Sequence, residues 1–113
     1  MTDRERPGPL WLTRPRVNRV VWKYDLALLT HLQLPQRAQV LHVGSQDNDV
    51  VLWVAVDPDA PKVERAFRVV GTGHEFDPSE VASYHGTAQL ANGLVFHVLE
   101  LWTDALRQEM LRG

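Results

Sequence analysis

From Val20 to Trp102 the apolar positions come in short runs broken by Gly, Pro, Asn and Asp, which is the layout of an all-β domain. Residues 17–26, VNRVVWKYDL, have the β-branched and aromatic content of a first strand. The next segment, LALLTHLQLPQRA, supports two readings. Leu26, Leu28 and Leu29 suit a helical turn, whereas Leu32 and Leu34 alternate as a strand does, and Pro35 closes the segment. Residues 39–43 and 50–56 flank the polar stretch Gly44 to Asp49 as a hairpin would. The second of these runs, VVLWVAV, is apolar on both faces and is expected to be the most buried strand. Pro58 and Pro61 mark a loop, after which RAFRVV (65–70) is a further strand that runs into Gly71-Thr72-Gly73-His74.

A second hairpin is predicted over YHGTAQLANGLVFHVLELW, because Asn-Gly at 92–93 is the strongest two-residue signal for a type I′ turn. That turn sets Ala91 opposite Leu94, Gln89 opposite Phe96, Thr87 opposite Val98 and His85 opposite Glu100. Leu90, Ala88, Tyr84, Val95, His97, Leu99 and Leu101 then share the core face. The tail TDALRQEMLRG reads as a short helix, with Thr103 as its cap, Asp104 in the first turn and Leu106 and Met110 on one face. So short a helix is not stable alone in water and has to dock on the sheet. The expected architecture is therefore mainly β: a small antiparallel barrel or sandwich of about six strands over residues 20–102, with a C-terminal helix over 103–113. Residues 1–19 form a basic, Pro-rich arm, of which MTDRERPGPLWLTRPR (1–16) cannot be a helix or a central strand.

Composition narrows the class. A chain of 113 residues holds one modest core, and without cysteine neither a disulfide nor a Cys-based zinc site can brace it. No apolar run approaches the ~20 residues of a membrane helix, and Pro7, Pro9 and Pro15 break up the arm where a signal peptide needs an apolar stretch. A soluble, non-secreted protein without membrane contact is expected. The net charge of −2 conceals an asymmetry, since the arm carries +3 and the body −5. A basic arm seeks an acidic surface, and a second copy of the same acidic body is the nearest one. Leu10, Trp11 and Leu12 either fold back on the domain's own core or, with Arg14 and Arg16, are the candidate partner-binding residues, for a homo-oligomer or for a host or virion protein. Nucleic acid is disfavoured, because the body repels the phosphates that the arm attracts.

The segments VWKYDL, AQVLHV, LWVAVDPDAP, FRVVGTGHEF and YHGTAQLANGLVFHVLE resemble a family of small uncharacterised β-rich proteins of phage genomes and of bacterial genomes with phage-derived regions. FRVVGTGH and LVFHVLE carry most of the resemblance, which spans about eighty residues and leaves out the arm and the final helix. It implies a phage-type gene product acting in the host-cell cytoplasm or in a virion, and it lends no site residues.

Candidate chemistry is sparse. There are five histidines. His97 lies on the expected apolar face and His42 alternates with Val40, so both read as hydrogen-bonded core residues. His85 opposite Glu100 either orients an imidazole for catalysis or stabilises the ribbon. With no Ser or Cys in an activating motif, the stabilising role is the expected one. The stretch SQDND spaces Asp47 and Asp49 as a calcium loop does, but the Gly and Glu of such a loop are missing, so it reads as a solvated turn. No metal and no cofactor are expected. Gly71, Thr72, Gly73 and His74 make either a tight bend or, with Arg68, a pocket for a small anionic ligand. A phosphate loop needs a helix starting at the glycines, and Glu75, Asp77 and Pro78 follow instead, so the bend is the first reading. Taken together these features lead to a non-catalytic binding protein that sequesters a ligand or occupies a host protein surface. The alternative is a virion structural or decoration protein that assembles through the arm.

Overall fold

The computed structural model describes residues 18–112. Seven strands form two antiparallel sheets that pack face to face. They are β1 (Val20–Leu26), β2 (Leu29–Pro35), β3 (Gln39–Gln46), β4 (Asp49–Val56), β5 (Lys62–Gly71), β6 (Val81–Gln89) and β7 (Val95–Leu101). A 3-10 turn at Pro78–Glu80 precedes β6, and one helix, α1 (Asp104–Arg112), follows β7. One sheet has the order β1-β4-β3 and the other β2-β5-β7-β6. The sheets do not close on each other, so the architecture is a sandwich and not a barrel. The strand count exceeds the expected six because the ambiguous segment after Leu26 is β2, where Leu32 and Leu34 point into the core.

Burial explains why β4 is central. Val50, Leu52, Val54 and Val56 point between the sheets and meet Phe67 and Val69 of β5 and Val98 of β7, all nearly or fully buried. Each such side chain stabilises the fold by roughly 1.5–3 kcal/mol relative to exposure. The hairpin β3–β4 is tighter than expected. Asp47 and Asn48 both take positive φ, 51° and 65°, and Gln46 pairs directly with Asp49. This is the two-residue geometry of a type I′ turn, so the Asp-Asn dipeptide makes the turn expected at Asn92-Gly93. A bulge between Val40 and His42 turns Val43 inward and leaves His42 exposed beside Trp53, which removes His42 from the core.

The second hairpin departs from expectation by one residue. Gly93 N–H donates to Leu90 O (2.9 Å), Leu90 N–H donates to Leu94 O (2.8 Å), and Gly93 alone has positive φ. The loop is therefore three residues long, and the Asn92 side chain accepts from Leu94 N–H at 3.0 Å to hold it. Gln89 now faces Val95, Ala88 faces Phe96 and Thr87 faces His97. A slip of one residue reverses the faces of β7. Phe96, Val98 and Glu100 point inward with Ala88 and Leu90, while Val95, His97, Leu99 and Leu101 lie on the opposite face, where Leu99 is nonetheless buried as expected. Expected core residues Tyr84, 58% exposed, and His97 thus lie on the outer face.

His85 and Glu100 meet all the same. A bulge between Tyr84 and Gly86 makes His85 the extra residue and swings its ring inward, where Nε2–H donates to Glu100 Oε1 at 2.8 Å. Gly86 has φ 148°, and a Cβ there would lie 3.3 Å from the Cβ of Val43, so the bulge also lets β6 approach β3. Arg65 completes the cluster. Its Nε and Nη2 donate to the two oxygens of Glu100 at 2.6 and 2.9 Å, and its Nη1 donates to Ala38 O at 2.6 Å. Both charged groups are buried.

The helix docks through its cap. Thr103 Oγ1 accepts from Leu106 N–H at 3.0 Å and donates to Glu64 O at 3.1 Å, so one hydroxyl both starts α1 and ties it to β5. Leu106 and Met110 share one face of α1 as expected, but only Leu106 is buried, and Met110, one turn further on, is 62% exposed.

Burial alone would raise the pKa of Glu100, but the hydrogen bonds and charges of Arg65 and His85 outweigh it and hold the carboxyl below its ordinary value. A carboxylate depressed in the folded state stabilises the fold above its unfolded value near 4.5, and that contribution is lost as pH falls through the lower folded value. Glu100→Gln leaves Arg65 buried without a counter-ion and is expected to cost about 3–5 kcal/mol at pH 7. Urea unfolding followed by tryptophan fluorescence measures this, and the variant is expected to lose part of the acid dependence seen in the parent.

Candidate functional site

Strand β5 ends in the Gly71–His74 stretch, and hydrogen bonding settles its local geometry. His74 N–H donates to Gly71 O at 3.0 Å and Gly73 has φ 90°, which is the third-position conformation of a type II turn. Thr72 N–H donates to Val95 O at 3.3 Å. Two of the backbone donors that an anion cradle would need are thus used inside the fold. The ring of His74 folds back over Gly71, where a Cβ would stand 3.0 Å from it.

The outward turn of β7 brings His97 to this bend. Its Nε2 lies 2.8 Å from Thr72 Oγ1, and its Nδ1 lies 3.0 Å from Thr87 Oγ1 and 3.3 Å from Tyr84 OH. The hydroxyls of Tyr84 and Thr87 are hydrogen-bonded to each other. His97, Thr72 and Tyr84 line a cavity of about 310 Å³ together with Val70, Gly71, Gly73, His74, Phe76 and Leu99. Phe76 is 46% exposed and forms an apolar wall. No Asp, Glu, Lys or Arg lines it. The nearby acid Asp77 is committed elsewhere. Its Oδ1 accepts from Ser79 Oγ and from Ser79 N–H, the two bonds that lower its pKa, and so caps the 3-10 turn.

This arrangement offers the spare hydrogen-bonding capacity of the Thr72 and Tyr84 hydroxyls over an aliphatic and aromatic floor. The imidazole of His97 has hydroxyls on both nitrogens and no carboxylate behind it. A hydroxyl–imidazole pair of this kind orients a neutral ligand well, while a developing imidazolium finds no fixed counter-charge.

Of the expected ligand residues, Gly71, Thr72, Gly73 and His74 share this cavity and Arg68 does not. Arg68 lines a separate depression with His31, Glu80, Trp102 and Arg107. The expected partner-binding residues Leu10, Trp11, Leu12, Arg14 and Arg16 lie outside the described residues. Asp47 and Asp49 sit in the β3–β4 turn, and no cluster of His, Cys, Asp or Glu among the described residues is placed to hold a metal ion. Tyr84, Thr87 and His97 were not expected at the site. Alternation along β7 and the bulge in β6, which sets Tyr84 and Thr87 on one face although they are three apart, relate them only once the ribbon register is known.

Residues 17–109 match the family described as a domain of unknown function (DUF7352). The chain belongs to the DUF7352 family. The match covers all seven strands and leaves residues 1–16 outside it. No curated protein and no solved structure matches the chain.

Nothing lies within 4 Å of a Cβ built at Gly73, so a substitution there tests the backbone alone. Gly73→Ala is expected to lower stability by about 1 kcal/mol, with Gly73→Asn costing less because Asn tolerates positive φ. Thermal unfolding of the two variants measures the difference.

Proposed function

We propose that this DUF7352 domain is a non-catalytic binding protein that holds a small, uncharged, partly flat ligand in the cavity between the Gly71–His74 bend and His97. The observation that carries the reading is the cavity itself: the hydroxyls of Thr72 and Tyr84, held by the ring of His97, converge on a space walled by Val70, Phe76 and Leu99, with no Asp, Glu, Lys or Arg in its lining. Its size of about 310 Å³ suits a ligand of one or two rings. An uncharged ligand replaces the anionic one expected at first, since Arg68 faces another depression and the backbone donors of the bend are occupied. Sequestering such a molecule inside an infected cell is the role that the resemblance to phage-type proteins favours.

Native mass spectrometry tests this on protein purified gently from its cell and on protein incubated with a cell extract of small molecules. A discrete adduct is expected in at least one preparation, and it should vanish in Thr72→Val/His97→Ala protein of unchanged circular dichroism. A bare mass in both preparations, or an adduct that survives the double substitution, would overturn the reading.

A further inference from the structure

The strands at the margins of the two sheets are treated differently. β3 bulges between Val40 and His42 and is covered by β6, where Ser45 Oγ donates to Gln89 O at 3.0 Å. β6 carries two register shifts. β2 ends in Pro35, which has no N–H to offer. Bulges, proline and cover are three of the devices that stop a sheet margin from pairing with another chain; an exposed charge such as Lys23 is a fourth, unless the incoming strand brings its counter-charge. β1 has none of the first three. Its seven residues pair with β4 in unbroken register from Val20↔Val56 to Leu26↔Val50, and its other side faces no strand among the described residues.

The charge pattern on β1 says what would pair there. Along VWKYDL, Lys23 and Asp25 stand one residue either side of Tyr24 and are both exposed, and Asp25 has no ionic partner among the described residues. Lys23 reaches across the sheet to Gln46 Oε1 at 2.6 Å, an exposed bond that is readily exchanged. We propose that β1 pairs antiparallel with β1 of a second copy of this chain, about a two-fold axis through Tyr24. In that register Lys23 of each copy stands opposite Asp25 of the other, and Trp22 stands opposite Leu26. Two ion pairs form by symmetry, since the same strand is both partners. Trp22, Tyr24 and Leu26 are half-buried at the margin of the core and gain cover from their counterparts. The three-stranded sheets of the two copies join into one of six strands. β2 offers no such match, because its central residues, Thr30 to Gln33, carry no pair of opposite charges.

The experiment is light scattering coupled to gel filtration, on full-length chain over the micromolar range, with charge-reversed variants. The parent is expected to be dimeric. K23D makes the strand all-acidic and D25K makes it all-basic, so each is expected to weaken the dimer by about tenfold or more. Both side chains are exposed, and circular dichroism checks that the variants stay folded. Mixing the two variants is expected to restore a dimer that contains one copy of each, and the double variant K23D/D25K is expected to dimerise as the parent does. A monomeric parent, a dimer indifferent to the single reversals, or a mixture that fails to associate would each overturn the proposal.

Discussion

The fold depends on one buried ion pair. Arg65 of β5 grips Glu100 of β7 with two parallel hydrogen bonds, reaches Ala38 O with a third donor, and leaves the remaining carboxylate capacity to His85 of β6. Taking both charges out of water is costly, and the pair is tolerable because the guanidinium fork matches the carboxylate and each of its three nitrogens has a partner. Its larger effect is on alternatives. Sliding β7 by one residue would turn Glu100 to the outer face and strand the Arg65 charge inside the sandwich. The cluster therefore discriminates between registers far more strongly than it adds to stability, and it ties three strands and the loop before β3 to one point.

That choice of register builds the outer face. With Glu100 inward, His97 three residues earlier must point outward, because neighbours along a strand alternate. The β6 bulge then separates the two histidines of the ribbon by function. His85 is turned into the core to meet the carboxylate, while Tyr84 and Thr87 remain outside to meet His97. The Gly71–His74 bend closes the group from the next strand over, since β5 and β7 are neighbours and Thr72 lies beside the end of their pairing. A charged clasp on one face and a hydroxyl-lined cavity on the other are two sides of the same ribbon.

Much of this fold was legible in the sequence. Periodicity located six of the seven strands, the doubly apolar run marked β4 as the buried centre, and Thr103 was recognisable as the helix cap. The pairing of His85 with Glu100 was also foreseen, although by a register that the molecule does not use; the bulge brings them together instead. What could not be read was the difference between two turns that share their favourite residues. Asn-Gly serves a two-residue type I′ turn and a three-residue turn with a terminal glycine equally well, and only packing of Phe96 and Val98 into the core decides between them. That single ambiguity hid His97, Tyr84 and Thr87 as a group. Arg65 gave no local signal either, because its partner lies 35 residues away.

The ribbon delivers His85 to the clasp and His97 to the cavity proposed to hold a ligand. Ring ¹H–¹⁵N spectra of the five histidines, recorded with and without a mixture of small uncharged aromatic fragments, test it most directly. The account predicts that fragments shift His97 and His74 and leave His85, His42 and His31 where they were. Shifts centred on His85, or a set of five rings that no fragment moves, would contradict it.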